Sequence, residues 1–126
     1  MDSIAAVALA TFLLVVGLAH FAVPGWFRSL VPSWLGSAGV LVAASGAAEI
    51  VVGALVLVPR TRSAGAWAAA GLIAVYLVSH VDALRHARRG HERVLLRPFG
   101  VAARLVVNAG YLGWAVGVAL AGPGTT

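Results

Sequence analysis

Between Arg28 and Arg60 the only charged side chain is Glu49, and beyond Arg97 the only one is Arg104. One turn past Arg104 stands Asn108, followed on the same helical face by Tyr111. His20 and His80 interrupt two further apolar runs, and Tyr76 lies one turn from His80 and shares its face. Groups of these kinds, converging away from water, have the chemistry that a ligand, quinone or proton site needs. A Glu–Arg pair also has a purely structural use, as a latch fixing helix register. His20, and His80 with Asp82, have a plainer use too, reaching headgroups at the membrane surface. Both readings stay open on the sequence.

The surroundings decide what kind of protein holds these groups. Of the 126 residues, 61% are apolar and 10% charged, against about 45–50% and about 25% in soluble domains. Mean hydropathy is +0.97. This composition excludes an ordinary soluble enzyme, a disordered tail and a nucleic-acid module. The net charge of +5 comes entirely from arginine, and five of the nine cations fall between Arg85 and Arg97. The high pI, near 11.5, therefore reflects one short connector rather than a basic face. No cysteine is present, which removes disulfides, thiolate chemistry and iron–sulfur ligation. No metalloprotease, hydrolase, Walker or dinucleotide motif occurs. His20 and His80 as axial haem ligands would need opposed faces one porphyrin apart, which nothing in the spacing specifies. The heavy use of Ala, Gly, Val and Arg suits a GC-rich bacterial genome.

Four stretches have the roughly 20 apolar residues needed to cross a bilayer as helices. They run over about 4–23, 37–58, 64–84 and 98–121, within one domain of residues 1–126. Pro24 and Gly25 close the first, Pro59 to Arg62 close the second, arginines close the third, and Pro98 opens the fourth. The expected fold class is thus all-α, a four-helix transmembrane bundle. The first stretch lacks a basic leader, since Asp2 is its only early charge, and its apolar run exceeds the 7–15 residues of a signal peptide. An uncleaved first span is expected. Residues 25–35 are too short to span, and their Trp26, Phe27 and Trp34 beside Arg28 and Ser33 suit a short interfacial segment. One side of the bundle then carries Arg28, Arg85, Arg88, Arg89, Arg93 and Arg97, the other only Arg60 and Arg62. This bias puts the Arg-rich connector 85–97 in the cytoplasm and both termini outside. Gly113 and Gly117 have the spacing of a helix-dimer face, and homo-oligomerisation is one partner expectation beside the lipid bilayer.

A charge at mid-bilayer costs about 2.5–3.5 kcal/mol on insertion scales, so it normally faces the bundle interior. Counting along a helix puts Glu49 about 18 Å deep, Asn108 about 15 Å and Arg104 about 9 Å. His20 and His80 lie about 5 Å below the surface on the same side. Ser45, Gly46 and Gly53 surround Glu49 with small residues that admit a close helix. The expectation is a Glu49–Arg104 pair with Asn108 as third partner, at the floor of a polar cavity rimmed by His20 and His80.

The run Gly17, His20, Phe21, Pro24, Phe27, Val31, Pro32, Leu35 resembles the first half of the DoxX family of small membrane proteins. Ser45, Gly46, Glu49, Ile50 and Gly53, then Pro59, Arg60, Thr61 and Arg62, resemble its second span and following turn. Arg104 to Asn108, with Trp114 and Ala115 beyond, is similar to its fourth-span motif. Two places depart from the pattern. Tyr76 to His80 replaces the usual Phe-Pro-Ala-Asn, and Val106 and Asn108 replace a Pro and a Gln. The resemblance implies a four-helix bundle of the cytoplasmic membrane in which Glu49 and Arg104 form a shared polar core. It also implies a non-catalytic subunit or anchor beside a redox-enzyme partner, in a quinone-linked system, with a quinone or a lipid as the molecule the Glu49/Arg104 cavity would hold. The alternative is a membrane enzyme, or a proton or small-solute carrier, using Glu49 and His80.

Overall fold

The computed structural model describes residues 2–87 and 97–121, apart from the side chains of Asp2 and His86. Arg88, Arg89, His91 and Arg93 of the Arg-rich connector lie outside the described residues. No strand occurs among those described. Helix α1 covers Asp2–Ala22, the short α2 Pro24–Arg28, α3 Ala38–Leu57, α4 Arg62–His86 and α5 Pro98–Leu120. The apolar sequence leaves the backbone no partner but itself, and a helix satisfies every interior amide. Prolines open α2 and α5, where a missing N–H costs nothing. Ser37 caps α3, its side chain accepting from the Val40 N–H.

Four of these helices are long and apolar enough to cross a bilayer, with 20, 20, 27 and 23 residues in the spanning stretches. The chain is a multi-pass membrane protein. Large apolar side chains on the outside, among them Ile4, Val40, Val75 and Val106, are more than 60% exposed, a surface that suits lipid and not water. The four-helix expectation holds, and so does the short non-spanning segment, which forms α2 and a 3₁₀ turn at Ser33–Leu35.

The third span is longer than the 64–84 expected. Its start at Arg62 has a physical reason. The Arg62 side chain is only 5% exposed, with Nε donating to the Val56 carbonyl at 2.9 Å and Nη2 to Leu57 at 3.1 Å. It thereby satisfies carbonyls that the end of α3 leaves open. Thr61 adds a bond to the Leu55 carbonyl at 2.6 Å. Arg62 is thus a helix cap, not a free surface cation.

In the bundle α1 packs on α3, α3 on α4 and α4 on α5, while α5 closes more lightly on α1. That last seam is aromatic. Phe12 lies 4.6 Å from Tyr111 and 5.9 Å from Trp114 between ring centroids, and the Trp114 indole donates to the Ala5 carbonyl at 3.0 Å. The α1–α3 crossing depends on glycine. A Cβ on Gly46 would stand 2.7 Å from His20 Cβ, and one on Gly17 would stand 3.0 Å from the Gly46 carbonyl oxygen. The small-residue stripe expected around Glu49 is therefore a real contact, and its partner is α1.

Polarity is divided along the bundle axis. The half holding the Pro59–Arg62 turn has a continuous core that includes Leu9, Leu13, Val52, Val56, Ile73 and Val118. The half at the Arg-rich end holds His20, Glu49 and Arg104, all buried. The segment between α1 and α3 folds over that end. Ser79 on α4 donates to the Leu30 carbonyl, and the Trp34 indole donates to Asp82 at 3.0 Å. Asp82 also pairs with Arg85 at 4.0 Å.

Candidate functional site

The polar residues singled out by sequence are all in this half, but they form two clusters. The first is built around Arg104 of α5, which is 9% exposed. Its Nε donates to His80 Nδ1 at 3.0 Å, and its Nη2 donates to Ser79 Oγ at 3.2 Å and more loosely to the Ser79 carbonyl at 3.4 Å. A guanidinium has no acceptor, so His80 Nδ1 must carry the lone pair and the ring proton sits on Nε2. That ring faces Asn108. The Asn108 amide in turn donates to the Arg104 carbonyl one turn back, at 2.9 Å, which leaves its oxygen free for His80. Ser79 passes the connection to Leu30 in the interfacial segment. The result is a closed network joining α4, α5 and the connector.

The second cluster is centred on Glu49 of α3, only 4% exposed. His20 Nδ1 of α1 lies 3.2 Å from Glu49 Oε2 and 2.8 Å from the Val16 carbonyl. As a donor, Nδ1–H is aimed at Val16, so proximity to Glu49 gives no hydrogen bond. Tyr76 of α4 faces both Glu49 and Ser45, while the Ser45 hydroxyl donates to its own helix at Leu41. Among the described residues, two buried side-chain polar atoms make no hydrogen bond: Glu49 Oε2 and the Tyr76 hydroxyl. Both belong to this cluster. The roof is Phe27 of α2, stacked on the His20 imidazole with ring centroids 3.8 Å apart.

The expected Glu49–Arg104 pair is not what forms. The ionisable partner beside Glu49 is His20. Counting depth from helix ends assumed that the helices end flush, and they do not. Gly17 packs against Glu49, since a Cβ on it would lie 3.2 Å from Glu49 Cβ. Gly17 is five residues from the end of α1, whereas Glu49 is eleven from the start of α3 (22 − 17 and 49 − 38). The stagger of six residues, about 9 Å, brings His20 level with Gly46, one turn from Glu49, where its ring reaches the carboxylate. Arg104 meets α4 instead, whose Ser79 and His80 present themselves at its height.

Tyr111 does not join the polar groups but packs on Phe12. Asp82 lies at the surface end, held by Trp34. Gly113 and Gly117 have nothing within 4 Å of a built Cβ. Sequence reasoning did not assign Ser79, Ser45 or Phe27 to the site. Ser45 and Ser79 carried a signal, because each lies one turn or less from an ionisable residue within an apolar span, Glu49 and His80. Phe27 carried none, since its role depends on how the interfacial segment folds back.

Comparison with curated proteins and with solved structures gives no match. A family model does match, over residues 9–119, which is most of the chain and includes every residue of both clusters. The chain belongs to that family, a domain of unknown function designated DUF8561.

Proposed function

We propose that this protein is a small, non-catalytic membrane subunit or anchor of a redox, quinone-linked system, a role like that implied by the DoxX resemblance. It resides in the bacterial cytoplasmic membrane with the Arg-rich connector inside, and it holds a lipid-soluble head group at the Glu49 cluster. One observation carries the reading: on two side chains that face each other, a buried atom of each, Glu49 Oε2 and the Tyr76 hydroxyl, makes no hydrogen bond. Buried polar atoms are nearly always partnered, so each exception calls for a ligand, a water or a function. Their chemistry is complementary to a quinone or quinol head. The phenol donates to a carbonyl oxygen, and the carboxylate accepts from a hydroxyl. When bound, such a head group supplies two-electron redox chemistry, while Glu49, Tyr76 and His20 orient it and exclude water.

The closed Arg104 network supports the anchor half of the proposal. Every group in it is used by another, which suits a latch. The alternative, a proton carrier or membrane enzyme relying on Glu49 with His80, meets the difficulty that His80 Nδ1 is engaged by Arg104.

The test is native mass spectrometry of protein purified gently in detergent, followed by extraction of bound small molecules. The expected result is a lipid-soluble redox molecule retained by the natural protein and lost from Glu49→Gln combined with Tyr76→Phe. Recovery of bulk phospholipid alone, from both, would sink the reading.

A further inference from the structure

The two halves of the bundle differ in what they offer a proton. From Glu49 toward the Pro59–Arg62 turn, the buried core consists of Ala, Leu, Val and Ile, including Leu13, Val52, Val56 and Ile73. Arg62, the one buried charge at that end among the described residues, is engaged with the carbonyls of α3. Among the described residues, no other charged or titratable side chain is fully buried in that half. From Glu49 toward the Arg-rich end the first group met is His20, two residues from the end of α1. Its Nδ1 stands within reach of two acceptors, the Val16 carbonyl at 2.8 Å and Glu49 Oε2 at 3.2 Å. An imidazole nitrogen held by a carbonyl, with an unpartnered carboxylate oxygen as its next neighbour, is placed to exchange a proton with that carboxylate.

We propose that Glu49 is a proton-exchange site within the membrane, loaded and unloaded from the Arg-rich end through His20. In the loaded state the proton is on the Glu49 carboxyl and His20 is neutral with its hydrogen on Nε2. In unloading, the carboxyl O–H bond breaks and an Nδ1–H bond forms, leaving carboxylate beside imidazolium. The ring then releases its Nε2 proton to water at the Arg-rich surface. What remains is a neutral His20 whose Nδ1–H bonds Val16, beside a carboxylate, and the heavy-atom positions, with Nδ1 2.8 Å from the Val16 carbonyl and Oε2 without a hydrogen bond, accommodate this state. Loading is the same sequence reversed.

The titratable groups facing Glu49 are His20 of α1 and Tyr76 of α4. On its own helix it has only the hydroxyl of Ser45 nearby. The charged and titratable side chains of the adjoining cluster are Arg104 of α5 and His80 of α4, which face one another, and Asp82 of α4, whose charge acts on Arg104. His80 is unsuited to the relay, since its Nδ1 already accepts from a guanidinium that cannot give up its proton. Phe27, stacked on His20, covers the ring and sets how readily water reaches it. The route concerns the same cluster as the proposed head-group site but needs no ligand. An empty, ligand-free preparation would therefore defeat that reading and leave this one standing.

The experiment is time-resolved infrared spectroscopy of the full chain after a rapid pH step, with the Glu49 carboxyl band identified by its loss in Glu49→Gln. His20→Gln keeps a hydrogen-bonding side chain but carries no proton. It should slow the appearance of the band by about 100-fold, the usual contribution of a positioned proton-transfer group. An unchanged rate overturns the proposal. Should His20→Gln fail to fold, Phe27→Ala serves instead, because it leaves both exchanging groups in place. Faster exchange there supports the route, and an unchanged rate overturns it. In proteoliposomes of mixed orientation, a pH step confined to the outer medium should move only part of the band, from molecules presenting the Arg-rich end outward. A response of full amplitude means access from both ends and contradicts the one-sided route.

Discussion

Tyr76 and His80 stand one turn apart on α4, yet they serve clusters of opposite character. His80 belongs to a network in which Arg104, Ser79, Asn108 and the Leu30 carbonyl satisfy one another. Tyr76 belongs to one in which its own hydroxyl and a carboxylate oxygen are buried without a hydrogen bond. Both clusters sit in the same half of the same bundle and are built from the same kinds of residue. The difference lies in donor count. A guanidinium brings five donors into one cluster, enough to close every gap. The other has an acceptor-rich carboxylate, an imidazole committed to its own helix, and a phenol. A membrane interior tolerates the first as structure. The second calls for a further partner, because each unmet group costs free energy that lipid cannot recover.

That contrast can be broken in four places. The largest effect is expected from Gly46→Val, which drives a branched side chain into His20 and Phe21 where even a Cβ would stand at 2.7 and 2.8 Å. Overpacking of this kind costs about 3 kcal/mol, and equilibrium unfolding in mixed micelles should register it, with loss of both the α1–α3 crossing and the Glu49 cluster. Next comes Arg104→Met. It removes the donors that hold His80 and Ser79, and at membrane values of about 0.6–1.7 kcal/mol per hydrogen bond the loss should be about 2 kcal/mol. The same unfolding measurement checks it, and any ligand should remain bound. Trp34→Phe, which removes the indole bond to Asp82 while keeping the ring, should cost about 0.5–1 kcal/mol, visible as a small drop in thermal midpoint. Glu49→Gln should change stability least, by within about 0.5 kcal/mol, since the Oε2 oxygen it replaces has no donor to lose. It should nonetheless abolish ligand retention in native mass spectrometry.

Much of this was legible in the sequence. Four apolar runs and their proline and arginine boundaries gave the spans, and aromatic residues beside Arg28 marked the interfacial segment. Gly46 and Gly53 marked the face along which another helix comes close to Glu49. Arg104 and Asn108 declared a shared face by their spacing and do share a network. The partner of Glu49 was not legible, because residue counts measure depth along one helix and carry no information on how far a neighbour is displaced along its axis. The stagger of α3 against α1 is set by glycine packing at Gly17 and Gly46, a three-dimensional fit. Arg62 misled for a related reason. As a residue type it reads as a surface charge, and only the 3₁₀ turn at Pro59–Thr61 brings its guanidinium back to the carbonyls of α3.

The central claim is that Glu49 and Arg104 act in separate clusters, one a site and the other a latch. A double-mutant cycle tests it most directly, with the unfolding free energy measured for the natural protein, Glu49→Gln, Arg104→Met and the pair together. Independent clusters predict additivity to within about 0.5 kcal/mol, with nearly all of the loss arising from Arg104→Met. A coupling above about 1 kcal/mol, in which the second substitution recovers stability lost to the first, would mean that Glu49 and Arg104 neutralise each other and would contradict the account.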